Sequence, residues 1–189
     1  MPLFKLLGYV IAALYCPKER GVALLESVAI FVDVQNIYYT TRQYFSRHFD
    51  YKSFWAEVTR DRTVVTAIAF AIDRDDDRQK QFQNILRAIG FEVKLRPFIQ
   101  RNDGSAKGDW DVGITLDVLE YAPQADVVVL ASGDGDFDLL VHKVRDKYQV
   151  SVEVYGVAEL SAASLIRAAD KFVPIKDHLL LGRAPPRGE

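Results

Sequence analysis

Aspartates follow two apolar, β-branched runs of this chain at the points where strands are predicted to end. Asp33 follows the run VAIFV at positions 28–32, and Asn36 comes three residues later. The run VVVLA at positions 127–131 leads into SGDGDFD at 132–138. Because carboxylates are too costly to bury unpaired, a cluster of them at strand ends needs cations as compensation. Mg²⁺ and Mn²⁺ suit such oxygen sites, and their natural chemistry is on phosphate esters.

A further acidic segment lies between these two runs. KGDWD at positions 107–111 opens a predicted helix that carries Asp117. Asp111 is the better ligand, because six positions turn its side chain about 120° away from that of Asp117. Asp109 replaces Asp111 if the helix begins earlier. Lys107 is the cation available to contact a substrate phosphate, although a solvated loop lysine is an alternative interpretation.

The two glycines of the segment 132–138 predict a tight turn with exposed backbone N–H groups at a helix N-terminus, which tolerates negative charge. If that helix begins near Asp134, then Asp134 and Asp138 lie one turn apart and point the same way, whereas Asp136 diverges into solvent. An acid-rich helix cap is the alternative, and Asp33 has the same alternative because Asp is a common N-cap.

The pattern of elements around these residues predicts where they meet. Strands that alternate with helices of ten or more residues indicate βαβ units and a parallel sheet covered on both faces. The predicted strands are 28–32, 63–72, 91–98, 127–131, 151–155 and 172–175, and the predicted helices are 36–48, 51–59, 82–89, 111–121, 137–144 and 162–169. Ligands bind such α/β folds at the carboxyl ends of the strands, where Asp33, Asp73 and Asp134 are expected.

Three local features complete this prediction. The strand at 91–98 alternates apolar and charged residues, as expected near a sheet edge. Residues 99–107 are polar and are expected to form a loop. In the helix 111–121, the side chains of Val112, Leu116 and Leu119 are expected to face the core.

Composition narrows the class of protein. A chain of 189 residues most simply forms one domain, and its formal net charge of −2 argues against a protein that coats nucleic acid nonspecifically. A nuclease remains compatible, since a local basic rim can bind phosphates beside an acidic centre. The single cysteine, Cys16, permits neither an intramolecular disulfide nor a cysteine-rich zinc site and is typical of the cytoplasm.

The ends of the chain are predicted to lie outside the main domain. Residues 1–27 are expected to form an N-terminal extension, apolar and then a linker, before a domain at 28–176 and a tail at 177–189. The apolar stretch 6–16 is about half as long as a membrane span. We therefore expect an additional helix or translation from an upstream start there, with a signal or anchor as the alternative, and no membrane partner.

At the acidic motifs the chain resembles the NYN-domain family, specifically its LabA-like branch, which is related to PIN-domain ribonucleases. The match lies in FVDVQN at 31–36, in Lys107 with Asp111 and Asp117, and in SGDGDF at 132–137. It spans about residues 28–174. The resemblance implies a PIN-like three-layer α/β/α sandwich with a mainly parallel central sheet, and metal-dependent cleavage of RNA. The pair DW at 109–110 adds one residue to the family's Lys-Gly-apolar-Asp pattern.

This resemblance also implies roles for individual residues. Asp33, Asp111 and Asp134 would hold Mg²⁺ or Mn²⁺, supported by Asp138 or Asp117. Asn36 and Ser132 would position water or ligand groups, and Asn36 has the alternative of capping the helix that follows it. A basic rim would bind phosphates, and two aromatic residues would stack bases: Arg74, Arg78, Lys80, Arg96, Arg101 and Lys107 for the rim, Tyr38 and Trp110 for stacking.

The predicted function is therefore that of a metal-dependent ribonuclease with RNA as its partner. A non-catalytic RNA-binding or regulatory module of the same fold is the alternative, and homo-oligomerisation stays open. A phosphatase is a weaker option, because a phosphoaspartyl enzyme would place a second acid two residues after its nucleophile, where this chain has Gln35.

Overall fold

A computed structural model of the chain describes residues 25–73, 76–97 and 110–182, and the backbone of residues 99–100 and 106–107. Its central element is a six-stranded sheet in the order β3-β2-β1-β6-β7-β8, in which every pairing is parallel. The strands are β1 Glu26–Asp33, β2 Arg62–Asp73, β3 Glu92–Pro97, β6 Val127–Ala131, β7 Ser151–Gly156 and β8 Lys171–Pro174. The parallel sheet confirms the predicted α/β class, and β3 lies at the edge as expected.

Helices cover both faces of this sheet. They are α1 Val34–Phe45, α2 Tyr51–Val58, α3 Asp77–Ile89, α4 Asp111–Tyr121, α5 Asp138–Tyr148 and α6 Ala163–Ala168. Alternate residues of β1 point to opposite sides: Val28, Ile30 and Val32 pack under α1–α3, whereas Ala29 and Phe31 pack under α4–α6. Burial of β1 on both faces explains its continuous apolar sequence. The predicted three-layer α/β/α sandwich is confirmed.

The strand order creates a topological switch point beside β1. From β1 the chain runs through α1 and α2 on one face to β2, and from the edge strand β3 it returns through α4 on the other face to β6. This switch point lies between the carboxyl ends of β1 and β6, and ligands bind open α/β sheets at such points.

Two local predictions were wrong. Residues 99–107 include two short antiparallel strands, β4 Ile99–Gln100 and β5 Ala106–Lys107, rather than a loop throughout. In α4, Val112 and Leu116 are 66% and 63% exposed, whereas Ile114 and Val118 are buried. Apolar residues lie on several sides of this helix, so their spacing did not distinguish the face that packs on the sheet. Leu119 is partly buried against the core.

The described chain continues in contact with the domain beyond residue 176. A short 3₁₀ turn, Asp177–Leu179, leads to Leu180, which forms an isolated β-bridge with Phe49. Leu179 and Leu180 are both buried. Within the described part of the chain, no helix is long and apolar enough to cross a membrane.

A buried ion pair lies under α2, on the sheet face that carries α1–α3. The Arg62 guanidinium donates to both carboxylate oxygens of Glu153, with Nη2–Oε1 and Nη1–Oε2 distances of 2.9 and 3.1 Å. Arg62 also donates to Glu26, and the Lys171 ammonium lies 3.4 Å from Glu153. Burial alone would raise the pKa of Glu153, but the hydrogen bond and charge of Arg62, helped by Lys171, lower it.

Candidate functional site at the sheet switch point

Asp33 is the last residue of β1, at the switch point, and only 8% of its surface is exposed. One carboxylate oxygen accepts the backbone N–H of Asn36 at 3.1 Å, and the other accepts the Ser132 hydroxyl at 3.3 Å. The first contact makes Asp33 the N-cap of α1. Asp33 therefore caps a helix and also presents a carboxylate at the end of the sheet, so its two predicted roles are compatible.

The residues after β6 are tied to the same point. The Asn36 side-chain oxygen accepts the Gly133 N–H at 2.8 Å, and the Ser132 hydroxyl accepts the Asp134 N–H at 3.2 Å. Asn36 is therefore not the N-cap of α1. Its amide instead joins the segment after β1 to the turn that carries Asp134.

Asp134 lies in the predicted turn, but the α-helix begins later than expected. A 3₁₀ turn, Gly135–Phe137, follows Asp134, whose side chain caps this turn by accepting the Asp136 N–H at 3.0 Å. The helix α5 then starts at Asp138. Asp136 is exposed, whereas Asp138 is half-buried with a side chain that makes no hydrogen bond or ion pair to the described residues.

Close packing against a neighbouring loop holds this turn in place. The Ala162 N–H donates to the Gly133 carbonyl at 2.9 Å. A Cβ added at Gly133 would lie 2.7 Å from Ser161 Oγ and 3.2 Å from Ser161 Cα, and one at Gly156 would lie 2.5 Å from Ser161 Oγ. The glycines at these positions therefore allow the loop to approach the turn.

Gly133→Ala is expected to destabilise the protein by about 1–3 kcal/mol, because the added methyl group overlaps the Ser161 backbone and side chain. Urea denaturation measures the change. Gly182→Ala is the matched control, since no atom of the described residues would lie within 4 Å of its Cβ, and it should change stability by less than about 0.5 kcal/mol. Equal midpoints for the two variants would contradict the proposed packing constraint.

Two of the predicted ligands act electrostatically on the third. Burial, together with the negative charges of Asp111 and Asp134, raises the pKa of Asp33 to about 6 against the opposing hydrogen bonds from Asn36 and Ser132. Asp111 is the first residue of α4. The structure thus brings carboxylates from three chain segments within electrostatic range.

The donor chemistry of this group fits a hard divalent cation. Among the described residues, both groups that donate a hydrogen bond to Asp33 are neutral, and within that part of the chain no direct cationic contact compensates its charge. In the described part of the chain, however, no three His, Cys, Asp or Glu side chains are grouped closely enough to hold a metal by themselves. An ion at this point would therefore need water or substrate oxygens in its shell, as Mg²⁺ ordinarily does.

Two predicted site residues are engaged elsewhere, and the predicted strand-end carboxylate of Asp73 lies further out. Asp117 accepts a hydrogen bond from Lys94 Nζ at 2.7 Å. Trp110 was expected to stack on bases, but its indole N–H donates to the Ala71 carbonyl and the Arg96 guanidinium lies over its ring. Asp73 lies three residues beyond the β2 position that pairs with Asp33, about 10 Å further along the strand.

Of the remaining predicted site residues, three have side chains that the structure describes and four do not. Tyr38 is exposed on α1, and Arg78 and Lys80 are exposed on α3. The described residues do not include Arg74, Arg101 or Asp109, and only the backbone of Lys107 is described.

Tyr51 was missed by the sequence analysis. It begins α2 and is buried, and the pKa of its phenol is raised mainly by burial and also by the charge of Asp33. Ser161 and Ala162 were also missed, because no local motif marks a loop that reaches the Asp134 turn from elsewhere in the chain. A tyrosine that follows an N-cap Asp gives no distinguishing signal either.

The fold and the site together define an α/β protein with carboxylates from three chain segments near the switch point of a parallel sheet. A model of the NYN domain matches residues 27–176. The chain belongs to the NYN domain family, as its motifs predicted.

Two relatives are similar over most of their length. The chain is 27% identical over 161 residues to the low amplitude and bright protein LabA of Synechococcus elongatus, covering 79% of this chain and 84% of LabA. The crystal structure of VPA0982, a protein of unknown function from Vibrio parahaemolyticus, superimposes with a TM-score of 0.81 at 54% identity. That match covers 85% of this chain and 99% of VPA0982.

Proposed function

We propose that the protein is a metal-dependent ribonuclease whose active centre is the carboxylate group at the ends of β1 and β6. The observation that carries this proposal is the burial of Asp33 beside two further negative charges, which raise its pKa. Such a group is unfavourable unless a cation joins it. Membership of a family with a PIN-like nuclease fold supports RNA as the substrate.

Each residue then has a defined task. Asp33, Asp111 and Asp134 would hold Mg²⁺ or Mn²⁺, which when bound activates water and neutralises charge on the phosphate. Ser132 and Asn36 fix the Asp33 carboxylate and the Asp134 turn through the hydrogen bonds described above.

Residues further from the centre have supporting tasks in this proposal. Asp138 would orient a metal-bound water from the start of α5. Asp117 would act through its pair with Lys94 by fixing α4 against the edge of the sheet. Lys107, Arg101 and Arg74 would bind phosphates, and Asp109 remains the alternative to Asp111.

The test is cleavage of single-stranded and structured RNA with Mn²⁺ or Mg²⁺, with EDTA as the metal-free reaction. Asp134→Asn is expected to reduce the rate by at least about 100-fold, because it removes a charged ligand. The asparagine oxygen can still accept the Asp136 N–H, so the turn should persist. Asp136→Asn is the matched control, since this neighbouring carboxylate is exposed.

Two results would overturn the nuclease proposal: no metal-dependent cleavage of either RNA, or equal rates for Asp134→Asn and the wild type.

A non-catalytic RNA-binding or regulatory module is the second candidate. It is favoured by the absence, among the described residues, of three metal-ligand side chains already grouped together. RNA binding that persists in EDTA, without cleavage in Mn²⁺, would support this second function.

A further inference from the structure

An exposed aromatic surface begins next to the candidate site. Tyr38 and Tyr39 lie on α1, which starts directly after Asp33, and they are 45% and 53% exposed. Their ring centroids are 5.3 Å apart in an edge-to-face arrangement. At 1.5 Å per helical residue, both rings lie about two turns or less from Asp33.

Basic groups border the same surface. The His48 ring lies 5.9 Å from the Tyr38 ring, and Arg42 Nη1 lies 3.4 Å from His48 Nε2. Arg42 and His48 are exposed, and Arg42 forms no salt bridge with any residue that the structure describes. We call Tyr38, Tyr39, Arg42 and His48 the α1 strip.

The core does not account for the α1 strip. α1 packs on the sheet through Val34, Ile37 and Thr41, which are buried on the side that faces the sheet. Exposed rings beside an exposed guanidinium are what single-stranded nucleic acids bind, because bases stack on the rings while the cation contacts a phosphate. A duplex hides the faces of its bases and cannot use the rings in this way.

We propose that the α1 strip stacks unpaired bases of an RNA whose scissile phosphate reaches the proposed cation site at Asp33, so that the protein selects single-stranded segments. The placement of the phosphate at the candidate site rests on the proposed ribonuclease function, whereas the stacking of bases on the α1 strip does not. The α1 strip lies on the helix that begins directly after Asp33, and its Arg42 guanidinium complements a phosphate backbone. These two features favour RNA over a protein partner.

The test measures binding without cleavage. Fluorescence anisotropy in EDTA compares a labelled oligouridylate of about twelve nucleotides with an abasic strand of the same length and with a duplex. The Tyr38→Ala/Tyr39→Ala variant is expected to lose about 10-fold or more in affinity for oligouridylate, since each stacked base is worth ~1–3 kcal/mol. Its affinity for the abasic strand should not change.

Two further variants make the result specific. Tyr38→Phe/Tyr39→Phe should keep the wild-type affinity, because the rings remain. Tyr44→Ala is the matched control. Tyr44 is similarly exposed on α1, but it is hydrogen-bonded to Glu159 and lies outside the α1 strip. Its replacement should therefore change the RNA affinity less than about twofold. Circular dichroism checks that each variant is folded.

Several outcomes would overturn the α1 strip proposal. The first is that the wild type does not bind oligouridylate, and the second is that the double alanine variant binds it as tightly as the wild type. The third is that the double alanine variant loses as much affinity for the abasic strand as for oligouridylate. The fourth is that the wild type binds the duplex as tightly as oligouridylate. Unchanged RNA affinity together with an altered oligomeric state would assign the α1 strip to a protein contact instead. Binding through the α1 strip without cleavage in Mn²⁺ would reject the ribonuclease proposal and leave the α1 strip proposal standing.

Discussion

At pH 8 in metal-free buffer, Asp33→Asn is expected to be more stable than the wild type, although it should abolish the proposed activity. The cause is the cost of keeping a buried carboxylate ionised, which raises its pKa from 3.8 to about 6. Because a tenfold change in proton affinity is worth ~1.4 kcal/mol, the gain is at most about 3 kcal/mol. Asparagine can still accept the Asn36 N–H that caps α1.

The sign of the effect with pH follows from the direction of this change. Above the folded-state pKa of about 6, both folded and unfolded chains are ionised and the full penalty acts on the wild type. As the pH falls from about 6 towards 3.8, the folded state takes up a proton first, and the penalty disappears. The advantage of Asp33→Asn should therefore be large at pH 8 and close to zero near pH 4.

Urea denaturation at both pH values measures this difference, with Asp136→Asn as an exposed control that should match the wild type. Added Mg²⁺ should stabilise the wild type and narrow its gap to Asp33→Asn, because a ligand that binds only the folded state shifts the unfolding equilibrium. Equal stability at pH 8, or an advantage that does not change with pH, would show that Asp33 is not destabilising in the folded protein.

Arg62→Met is expected to destabilise the protein by about 3–5 kcal/mol. The substitution removes both hydrogen bonds to Glu153 and, among the described residues, leaves that buried carboxylate with only the more distant Lys171 as a cationic partner. Thermal and urea unfolding measure the loss. The pKa of Glu153, which Arg62 lowers in the wild type, should rise in the variant. The deficit should therefore shrink on acidification, since protonated Glu153 no longer needs a partner.

Two comparisons isolate the buried pair. Lys171→Met removes the more exposed partner of the same carboxylate and should cost less than about 1 kcal/mol. The double variant Arg62→Met/Glu153→Leu should recover most of the stability lost by Arg62→Met, because no buried charge is left unpaired. A double variant as unstable as Arg62→Met would mean that packing of the arginine side chain, rather than its charge, stabilises this region.

The fold was predictable where one local pattern decides the structure. Residues 28–32 of β1 and all of β6 are apolar because both of their faces are buried, and this pattern appears in the sequence without any partner strand. The face of α4 was not predictable, since apolar side chains surround the helix and only packing against the sheet selects Ile114 and Val118. The pairing of β4 with β5 likewise depends on a contact between two segments of two residues each.

The candidate site was likewise predictable from the sequence only in part. Asp33, Ser132 and Asp134 were identified because each follows a recognisable strand, and the parallel sheet brings those strand ends together. The engagement of Asp117 by Lys94 was not visible, because it joins α4 to β3 across 23 positions. Trp110 resembled a free aromatic residue in sequence, but its hydrogen bond to Ala71 depends on where β2 passes.

The Trp110 contact has a consequence for how the candidate site could diverge among relatives. Asp33 and Asp134 belong to a rigid half of the site, joined by hydrogen bonds at adjacent strand ends. Asp111 belongs to an adjustable half, because α4 has no side-chain N-cap and its first turn is located by the Trp110 ring, which lies over Gly113. Substitutions around that ring can change the distance of one carboxylate from the other two, and with it the preference of the proposed cation site, while both strand ends stay unaltered.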